Sequence, residues 1–441
     1  MAYLSQILFS IVMATAVVFF VLKVKKIRRN IFFGKKVEFK GSKKERWITL
    51  LKVAIGQGKM TKKPVAGILH IIVYIGFVLI NIEVIEIVVD GVFGTHRFLS
   101  SILGSFYDFM IGFFEVLAIG VLLACVIFLI RRNVLKIKRF FGKEMTAWPK
   151  SDANIILVVE ILLMFAFLLM NAADYRMQSL NMDSQVGAFP VSQFLLPLID
   201  GAGMGSLMFI ERFCWWFHIV GILAFLNYLP YSKHFHILLA FPNIYYSKLE
   251  AKGQLNNMAA VTDQVKLMMD PSADPYATPA EGIAEPETFG AKDVTELPWT
   301  SIMHAYTCTE CGRCTEACPA NATGKLLSPR KIMMDVRDRA EELGQFVDAQ
   351  GLEAKDHKSL LNDYISTEEL WACTTCNACT EACPVNNDPM AVIVDLRRYL
   401  VMEQSAAPQE LNLMFGNVEN NGAPWQFPMD DRFNWATEDD A

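Results

Sequence analysis

Five long apolar segments constrain the fold of this chain more than any other feature of its sequence. They cover residues 4–22, 65–89, 106–130, 153–170 and 207–229. Each is close to the roughly 20 apolar residues that an α-helix needs to cross the hydrocarbon core of a bilayer. Hydrophobic residues make up 53% of the chain and charged residues only 20%, whereas soluble domains average about 25% charged residues. The sequence therefore predicts a membrane domain of five helices in contact with lipid.

Basic residues in the loops predict how these helices cross the membrane. Residues 23–63 contain fifteen Lys and Arg residues and residues 131–150 contain seven, while residues 94–105 and 172–205 contain one each. Loops rich in Lys and Arg stay on the cytoplasmic side. We therefore expect an outside N-terminus and a cytoplasmic C-terminal region, in the inner (cytoplasmic) membrane of a bacterium or archaeon. The net charge of −5 argues against a nucleic-acid partner.

Eight of the ten cysteines form two copies of one motif, C-x2-C-x2-C-x3-C-P. In this motif three cysteines on a winding loop bind one [4Fe–4S] cluster, and the fourth cysteine binds the other cluster. The predicted ligands of cluster 1 are Cys308, Cys311, Cys314 and Cys383, and those of cluster 2 are Cys373, Cys376, Cys379 and Cys318. Two structural zinc sites are the alternative, but such sites usually combine separated C-x2-C pairs.

Helix signals surround the two motifs. Ser328 and Pro329 predict the start of a helix that runs to Leu343 and that Gly344 ends. Ser366 and Glu369 have capping-box spacing, which predicts a helical turn just before the second motif. Residues 390–402 have the apolar periodicity of a further amphipathic helix. Residues 297–403 resemble the α-helical ferredoxin domain of succinate dehydrogenase iron–sulfur subunits and of the small iron–sulfur subunit of heterodisulfide reductases.

Histidines at the ends of the apolar segments are candidate haem ligands. His70 and His236 lie near the cytoplasmic ends of the second and fifth segments, so antiparallel helices would bring them to similar depth. Two neutral imidazoles there could bind one haem b from its two faces. On one straight helix His218 and His236 would face the same way, about 27 Å apart, and His234 would be rotated about 160° from His218. Pro230 could kink this helix, and hydrogen-bonded structural histidines are the alternative.

The run from His218 through Pro230 and Ser232 to His236 resembles the last helix of the cytochrome b subunit of respiratory nitrate reductases. That subunit has five helices and an outside N-terminus. Its last helix carries two histidines at this spacing, which bind two b haems together with two histidines ten residues apart on the second helix. His70 matches one of these partners, but Ile80 replaces the other. The resemblance therefore implies one haem b between His70 and His236, and leaves a second haem at His218 without its usual partner.

Three carboxylates inside the apolar segments are candidates for a quinone site: Glu83, Glu86 and Glu160. Ionisable groups in a membrane are costly and usually functional. A menaquinol or ubiquinol releases two protons when it gives up two electrons, so a nearby carboxylate could accept one. Ion pairing or hydrogen bonding within the bundle is the alternative.

The complete prediction is an all-α chain, a five-helix transmembrane bundle plus an α-helical two-cluster ferredoxin domain. Residues 1–242 form the bundle, 243–296 a Pro/Ala/acidic linker, 297–403 the cytoplasmic ferredoxin domain and 404–441 an acidic tail. The tail carries four aromatic residues that either anchor a partner or wrap the chain's own domain, namely Trp425, Phe427, Phe433 and Trp435.

This combination predicts a relay of electrons between a membrane quinone pool and a cytoplasmic oxidoreductase. It resembles the membrane subunits of heterodisulfide-reductase and sulfite-reduction-associated complexes, whose separate catalytic subunits carry Cys-Cys-Gly motifs. This chain has no such motif, so we predict no catalytic residue in it and assign substrate chemistry to a partner. Two alternatives remain open: an assembly or regulatory membrane polyferredoxin without haem, and ion pumping through the carboxylates.

Overall fold

The computed structural model describes residues 3–180, 185–251, 253–272, 288–352 and 356–437. These residues form α-helices and short helical turns, and no β-strand occurs among them. The prediction of an all-α chain is confirmed. The α-helices, numbered in chain order, are α1 (Leu4–Ile31), α2 (Lys43–Leu50), α3 (Pro64–Phe93), α4 (Phe98–Leu103), α5 (Ser105–Asn133), α6 (Ala147–Ser179), α7 (Met204–Tyr228), α8 (His236–Tyr245), α9 (Ala259–Met269), α10 (Trp299–Thr307), α11 (Arg313–Ala317), α12 (Pro319–Ala322), α13 (Pro329–Gln350), α14 (Leu360–Asp363), α15 (Thr367–Trp371), α16 (Ala378–Ala382), α17 (Pro389–Met402), α18 (Gln409–Asn421) and α19 (Asn434–Thr437).

Five helices are long and apolar enough to cross a membrane: α1, α3, α5, α6 and α7 with the turn that follows it. They pack in a closed ring, in which α1 contacts α3, α3 contacts α5, α5 contacts α6, α6 contacts α7 and α7 returns to α1. The interior of the ring contains Tyr107, Ile111 and Phe167, none of them exposed. Outward-facing apolar side chains such as Ile11 and Phe19 on α1 are more than half exposed. A side chain of this kind is stable where it contacts lipid.

The fifth predicted helix is broken, contrary to the assumption of one straight helix from His218 to His236. The α-helix α7 ends at Tyr228, two 3-10 turns follow, and α8 begins at His236. Pro230 has no N–H to donate and Ser232 is extended (φ −116°, ψ 160°). The Asp152 carboxylate stabilises the break, because it accepts hydrogen bonds from the Tyr228 hydroxyl at 2.6 Å and the Lys233 N–H at 3.1 Å.

The cysteine-rich region packs directly on the end of the bundle through one hydrophobic core. This core contains Ile27 and Ile31 from α1, Phe235 from the break after α7, and Ile302 and Leu343 from the C-terminal half. Polar contacts surround the same junction. Lys26 pairs with Asp348 at 2.8 Å, and the Asn30 amide donates to the Tyr306 hydroxyl at 3.1 Å. The bundle and the region that holds the cysteine motifs therefore share one hydrophobic core.

Three helix predictions around the motifs have different outcomes. The capping box of Ser366 and Glu369 is present and starts α15, and α17 covers Pro389–Met402, so both predictions are confirmed. The predicted end at Gly344 is wrong, because α13 continues to Gln350 and stops before Gly351, whose φ is 90°. Gly344 is instead a contact with α1, since a Cβ there would lie 2.5 Å from the Asn30 side-chain amide.

The predicted linker is only partly within the described residues. Its described part includes the end of α8, the helix α9 and residues 288–296, of which Ala291 and Val294 are completely buried. Residues 273–287 lie outside the described residues. In the tail, Trp425, Phe427, Phe433 and Trp435 are 58–72% exposed, so these four side chains do not wrap the chain's own domain.

The contact at Gly344 allows a stability prediction. We expect Gly344→Ala to lower the free energy of unfolding by roughly 1–3 kcal/mol, because the added methyl group overpacks a filled junction. Thermal unfolding of the purified chain in detergent measures the effect. Gly416→Ala is the matched control: this glycine also lies in a helix, but a Cβ there meets nothing within 4 Å, so we expect a gain of about 0.5–1 kcal/mol. Equal losses in both variants would contradict the close contact with α1.

Candidate metal centres

The two cysteine loops have the same backbone shape. Each contains two residues with positive φ, at equivalent places in the motif: Glu310 (52°) and Gly312 (73°) in the first loop, Thr375 (54°) and Asn377 (63°) in the second. Gly and Asn adopt this conformation readily, whereas Glu and especially β-branched Thr do so rarely. The repeated left-handed turns wind each loop so that its three thiols line one cavity.

The fourth cysteine of each motif lines the cavity of the other loop. The helices α11 and α16, which follow the two loops, pack against each other, and each delivers its terminal cysteine across this contact. The first cavity is lined by four cysteines, Cys308, Cys311, Cys314 and Cys383. The second is lined by Cys318, Cys373, Cys376 and Cys379. These are the two groups that the motif predicts.

The donor set suits an iron–sulfur cluster. Burial raises the pKa of the Cys308 thiol to about 12 and of the Cys383 thiol to about 11. Coordination to a metal would deprotonate both thiols. Within the described ranges no three His, Cys, Asp or Glu side chains converge on one point as for a single ion. The four thiols instead surround a space, which is the arrangement that a cubane with four corner ligands requires.

Two arginines, one of them buried, lie beside the cavities. Arg330 is 1% exposed and lines the first cavity, and its guanidinium pairs with Glu144 at 2.7 Å and donates to the Arg139 carbonyl at 2.7 Å. At the second cavity, Arg397 donates to the Leu370 carbonyl at 3.0 Å. Positive charge near thiolates lowers the cost of burying them. No local sequence pattern predicts that Arg330 is buried here, because its ion-pair partner Glu144 lies 186 residues earlier in the chain.

The structure brings His70 and His236 together. Their ring centroids are 6.4 Å apart with an interplanar angle of 42°. A metal lies about 2 Å from a coordinating imidazole nitrogen, which itself lies roughly 1 Å from the ring centre, so two imidazoles on one metal have centroids about 6 Å apart. The Nδ1 of His236 bonds the Lys233 carbonyl at 3.0 Å, the contact that commonly orients a metal-binding histidine. The Nδ1 of His70 is buried without a hydrogen-bond partner. The two rings are therefore about as far apart as two imidazoles that bind one metal.

The other two histidines occupy different places. His234 lies beside His236, with ring centroids 5.5 Å apart, because the break after Pro230 removes the rotation expected on a straight helix. Burial lowers the pKa of His234 to about 3 and also lowers the pKa of His236, so both are neutral. His218 is buried in α7, where its Nδ1 bonds the Leu163 carbonyl of α6 at 3.0 Å. The structure thus groups three of the four candidate histidines.

Lys233 connects the histidine group to the first cysteine loop. Its carbonyl accepts the bond from His236, and its ammonium group pairs with the Glu310 carboxylate at 2.5 Å. Burial alone would raise the pKa of Glu310, but Lys233 and Arg337 hold that pKa below its ordinary value. Sequence reasoning missed this pair, because its two residues lie 77 positions apart.

The three candidate carboxylates are not all together. Glu86 accepts hydrogen bonds from the Leu99 N–H at 2.8 Å and the Tyr107 hydroxyl at 2.9 Å. Glu83, one turn away, is 4% exposed and its Oε2 has no hydrogen-bond partner. Nearby, the buried Arg97 donates to Asp174 at 2.7 Å. Glu160 lies elsewhere, close to Cys125 in the middle of the bundle.

Comparison with known proteins agrees with the cysteine sites. Residues 307–387 match the family of 4Fe-4S dicluster domains. The chain is 29% identical to a probable iron-sulfur-binding oxidoreductase, FadF of Bacillus subtilis, over 98% of this chain and 61% of that protein. It is 28% identical to the EtfAB:quinone oxidoreductase of Syntrophomonas wolfei, over 87% of this chain and 53% of that protein. No solved structure gives a significant match.

A further relative matches the C-terminal half. One of the subunits of the ferredoxin/F(420)H(2)-dependent CoB-CoM heterodisulfide reductase of Methanosarcina acetivorans is 34% identical over 27% of this chain and 60% of its own length. The chain spans between half and two thirds of the length of the curated relatives described here. These similarities support the binding of [4Fe–4S] clusters and a role in electron transfer. With five helices able to span a bilayer, the chain is a membrane-associated iron–sulfur protein related to oxidoreductases and heterodisulfide reductase subunits.

Proposed function

We propose that this chain relays electrons between a membrane quinone pool and an oxidoreductase in the cytoplasm, through one haem b and two [4Fe–4S] clusters. The observation that carries the proposal is the pairing of His70 with His236 at 6.4 Å, joined through Lys233 to the first cysteine loop. When bound, haem b and [4Fe–4S] clusters exchange single electrons over a wide range of potentials. The similarity to a protein named as an EtfAB:quinone oxidoreductase supports the quinone link.

We assign each cluster the cysteines that line one cavity. Cys308, Cys311, Cys314 and Cys383 hold cluster 1, and Cys318, Cys373, Cys376 and Cys379 hold cluster 2. Arg397 stabilises the Cys373 thiolate by its positive charge, and the apolar side chains of the surrounding helices exclude water.

We assign the haem to His70 and His236 and keep His234 as the alternative ligand, since its ring lies 5.5 Å from that of His236. His218 is the candidate for a second haem, and its bond to the Leu163 carbonyl leaves Nε2 as the nitrogen for a metal. One haem is better supported than two, because the rings of His70 and His236 are separated by a distance that suits two ligands of one iron.

We assign proton transfer from a menaquinol or ubiquinol to the carboxylates of α3. Glu83 is the first candidate, because its buried Oε2 has no hydrogen-bond partner and a protonatable oxygen in that state can accept a proton. Glu86 already accepts two hydrogen bonds, which stabilise its charged form. Glu160 remains a separate candidate.

We assign the orientation from the loops rich in Lys and Arg, with the N-terminus outside and the cysteine region in the cytoplasm. The similarity to a heterodisulfide reductase subunit supports a complex with other subunits. The proposed partner is a cytoplasmic catalytic subunit, for which Cys-Cys-Gly motifs are the expected signature.

The optical spectrum of the purified chain tests the haem and quinone steps together. We expect the chain, purified in detergent without oxygen, to develop a sharp b-type α band when a reduced menaquinol analogue is added. The electrons of the quinol then reach the haem held by His70 and His236. A spectrum with only broad iron–sulfur absorption would overturn the haem assignment and favour a polyferredoxin without haem.

A further inference from the structure

The helix α2 continues beyond Leu50 into a π-helical turn, Leu51–Ile55. Leu50 and Leu51 both have right-handed helical φ and ψ, so residues 43–55 form one unbroken helical segment, which we call the surface helix. One side of this segment is packed against the protein. It consists of three residues spaced four apart, each at most 7% exposed: Arg46, Leu50 and Ala54.

A second side of the surface helix is apolar but uncovered. Its four side chains are 38–55% exposed, namely Trp47, Ile48, Leu51 and Ile55. Residues three or four positions apart are neighbours on a helix, so these four form one continuous stripe. A continuous apolar patch rimmed by polar residues marks contact with another protein or with a membrane.

Contacts on the packed side place the surface helix at one end of the bundle. Leu50 and Ala54 share a small core with Ile244 of α8, the helix that follows the break after α7. The Arg46 guanidinium donates a hydrogen bond to the Tyr245 carbonyl at 3.0 Å. The surface helix is therefore fixed to the segment into which α7 continues.

The loop after the surface helix leads directly to the first turn of α3, a helix able to span a bilayer. The Gly58 N–H donates to the Lys52 carbonyl at 3.1 Å, which folds this loop against the surface helix. The loop also contacts α3 closely, since a Cβ at Gly67 would lie 2.6 Å from the Met60 carbonyl oxygen. In the same turn of α3, the apolar side chain of Val65 is 56% exposed. The surface helix thus lies beside the edge of the bundle surface that faces lipid.

Positive charge surrounds the uncovered stripe. Residues 35–63 contain ten Lys and Arg residues but only two Glu residues. Lys44 and Lys52 are exposed, each lies one helical turn from the stripe, and neither pairs with a carboxylate in the described part of the chain. Glu45 lies here too, but its carboxylate accepts the Ser42 N–H at 2.9 Å in a capping box. Cations beside an apolar stripe allow a helix to lie among acyl chains below anionic lipid headgroups.

We propose that the surface helix lies in the interface of the membrane leaflet at this end of the bundle and binds anionic phospholipid there. The apolar stripe enters the acyl-chain boundary, and Lys44 and Lys52 contact lipid phosphate groups. Trp47 packs edge-on against Tyr245, with ring centroids 5.3 Å apart, and Trp and Tyr are enriched at membrane interfaces. A protein partner would also cover an apolar stripe, but the start of α3 already brings the lipid-facing surface to the surface helix. The proposal requires neither haem nor quinone.

Brominated lipids test whether the stripe enters the bilayer. The full chain is reconstituted into vesicles of phosphatidylcholine and phosphatidylglycerol, with or without bromine on the acyl chains. The emission of Trp47 is the difference between the wild type and Trp47→Phe. We expect bromine to quench roughly half or more of this emission, because a Trp at the interface touches the acyl chains. Trp425→Phe is the matched control: Trp425 is 58% exposed against 55% for Trp47, but it lies in the tail, so bromine should leave its emission nearly unchanged.

Spin-labelled lipids test the headgroup contacts. Electron paramagnetic resonance measures how much labelled phosphatidylglycerol and labelled phosphatidylcholine the protein immobilises in the same vesicles. We expect Lys44→Gln combined with Lys52→Gln to lower the preference for phosphatidylglycerol by roughly twofold at low salt. Lys325→Gln combined with Lys358→Gln removes the same charge from exposed lysines of the cysteine-rich region, and should leave the preference at the wild-type value. Because both double variants have the same net charge, the comparison separates a local contact from general attraction.

Each readout can overturn the proposal. Equal quenching of Trp47 and Trp425 would refute insertion of the stripe, and so would no quenching of Trp47, which would leave a protein partner as the occupant. An equal loss of phosphatidylglycerol preference in the two double variants, or no loss in the first, would refute the headgroup contacts. Iron content, measured in every variant, verifies that the substitutions leave the cysteine-rich region folded.

Discussion

His70→Ala is expected to remove the haem and with it the b-type absorption band that a quinol analogue reduces. The ring centroids of His70 and His236 are 6.4 Å apart in the wild type. Alanine at position 70 would leave the proposed haem with one of its two histidine ligands. Both cysteine cavities lie in the C-terminal half, so the broad iron–sulfur absorption should persist. The measurement is the reduced-minus-oxidised optical spectrum of the purified variant, together with its haem and iron contents.

Two further histidine variants make this expectation specific. His234→Ala removes a ring from the same group, so we expect the haem to remain with a shifted spectrum. His218→Ala acts in α7, where its ring contacts Phe167 at 6.1 Å, and the His70–His236 haem should remain. If His218→Ala loses all haem while His70→Ala retains it, the assigned ligand pair is wrong.

Cys383→Ala is expected to remove cluster 1 and leave cluster 2, although Cys383 belongs to the second motif. Its thiol lines the cavity with Cys308, Cys311 and Cys314. Cys318→Ala should have the converse effect, because Cys318 lines the second cavity. Each variant should contain about half the non-haem iron of the wild type, since each loses one of two four-iron clusters. Iron analysis and electron paramagnetic resonance of the reduced protein measure the loss and identify the remaining cluster.

Cysteines outside the motifs provide the control. Cys125 and Cys214 are buried free thiols within the bundle, and neither lines a cysteine cavity. Cys214→Ala should leave both cluster signals intact. If Cys383→Ala instead abolishes the same signal as Cys379→Ala, each motif binds its own cluster and the crossed arrangement is refuted.

Features encoded over short distances along the chain could be predicted from the sequence. The five apolar segments coincide with helices able to span a bilayer, and the capping box at Ser366 starts a helix as its spacing indicates. The grouping of the cysteines follows from a motif whose spacing itself specifies which thiol crosses over. In each case a few neighbouring residues determine the outcome.

Features that depend on distant residues could not be predicted in this way. Gly344 has the local signature of a helix end, but its place is determined by Asn30 of α1, and α13 continues past it. The rotation expected for His234 is wrong for a local reason, because Pro230 and Ser232 turn the chain where one straight helix was assumed. Lys233 and Glu310 are 77 residues apart, so the periodicity of a helix or strand cannot predict their pairing.

The junction between α1 and the cysteine region has a consequence for how the protein is made. Asn30 bonds Tyr306, which lies 276 residues later in the chain. At a synthesis rate of about 5–20 residues per second, the ribosome needs roughly 14–55 seconds to produce that stretch. During this time the end of α1 that carries Ile27 and Ile31 lacks the later residues that complete its core. Among the five long apolar helices, α1 is therefore synthesised before the others but is not fully packed until the C-terminal half has been made.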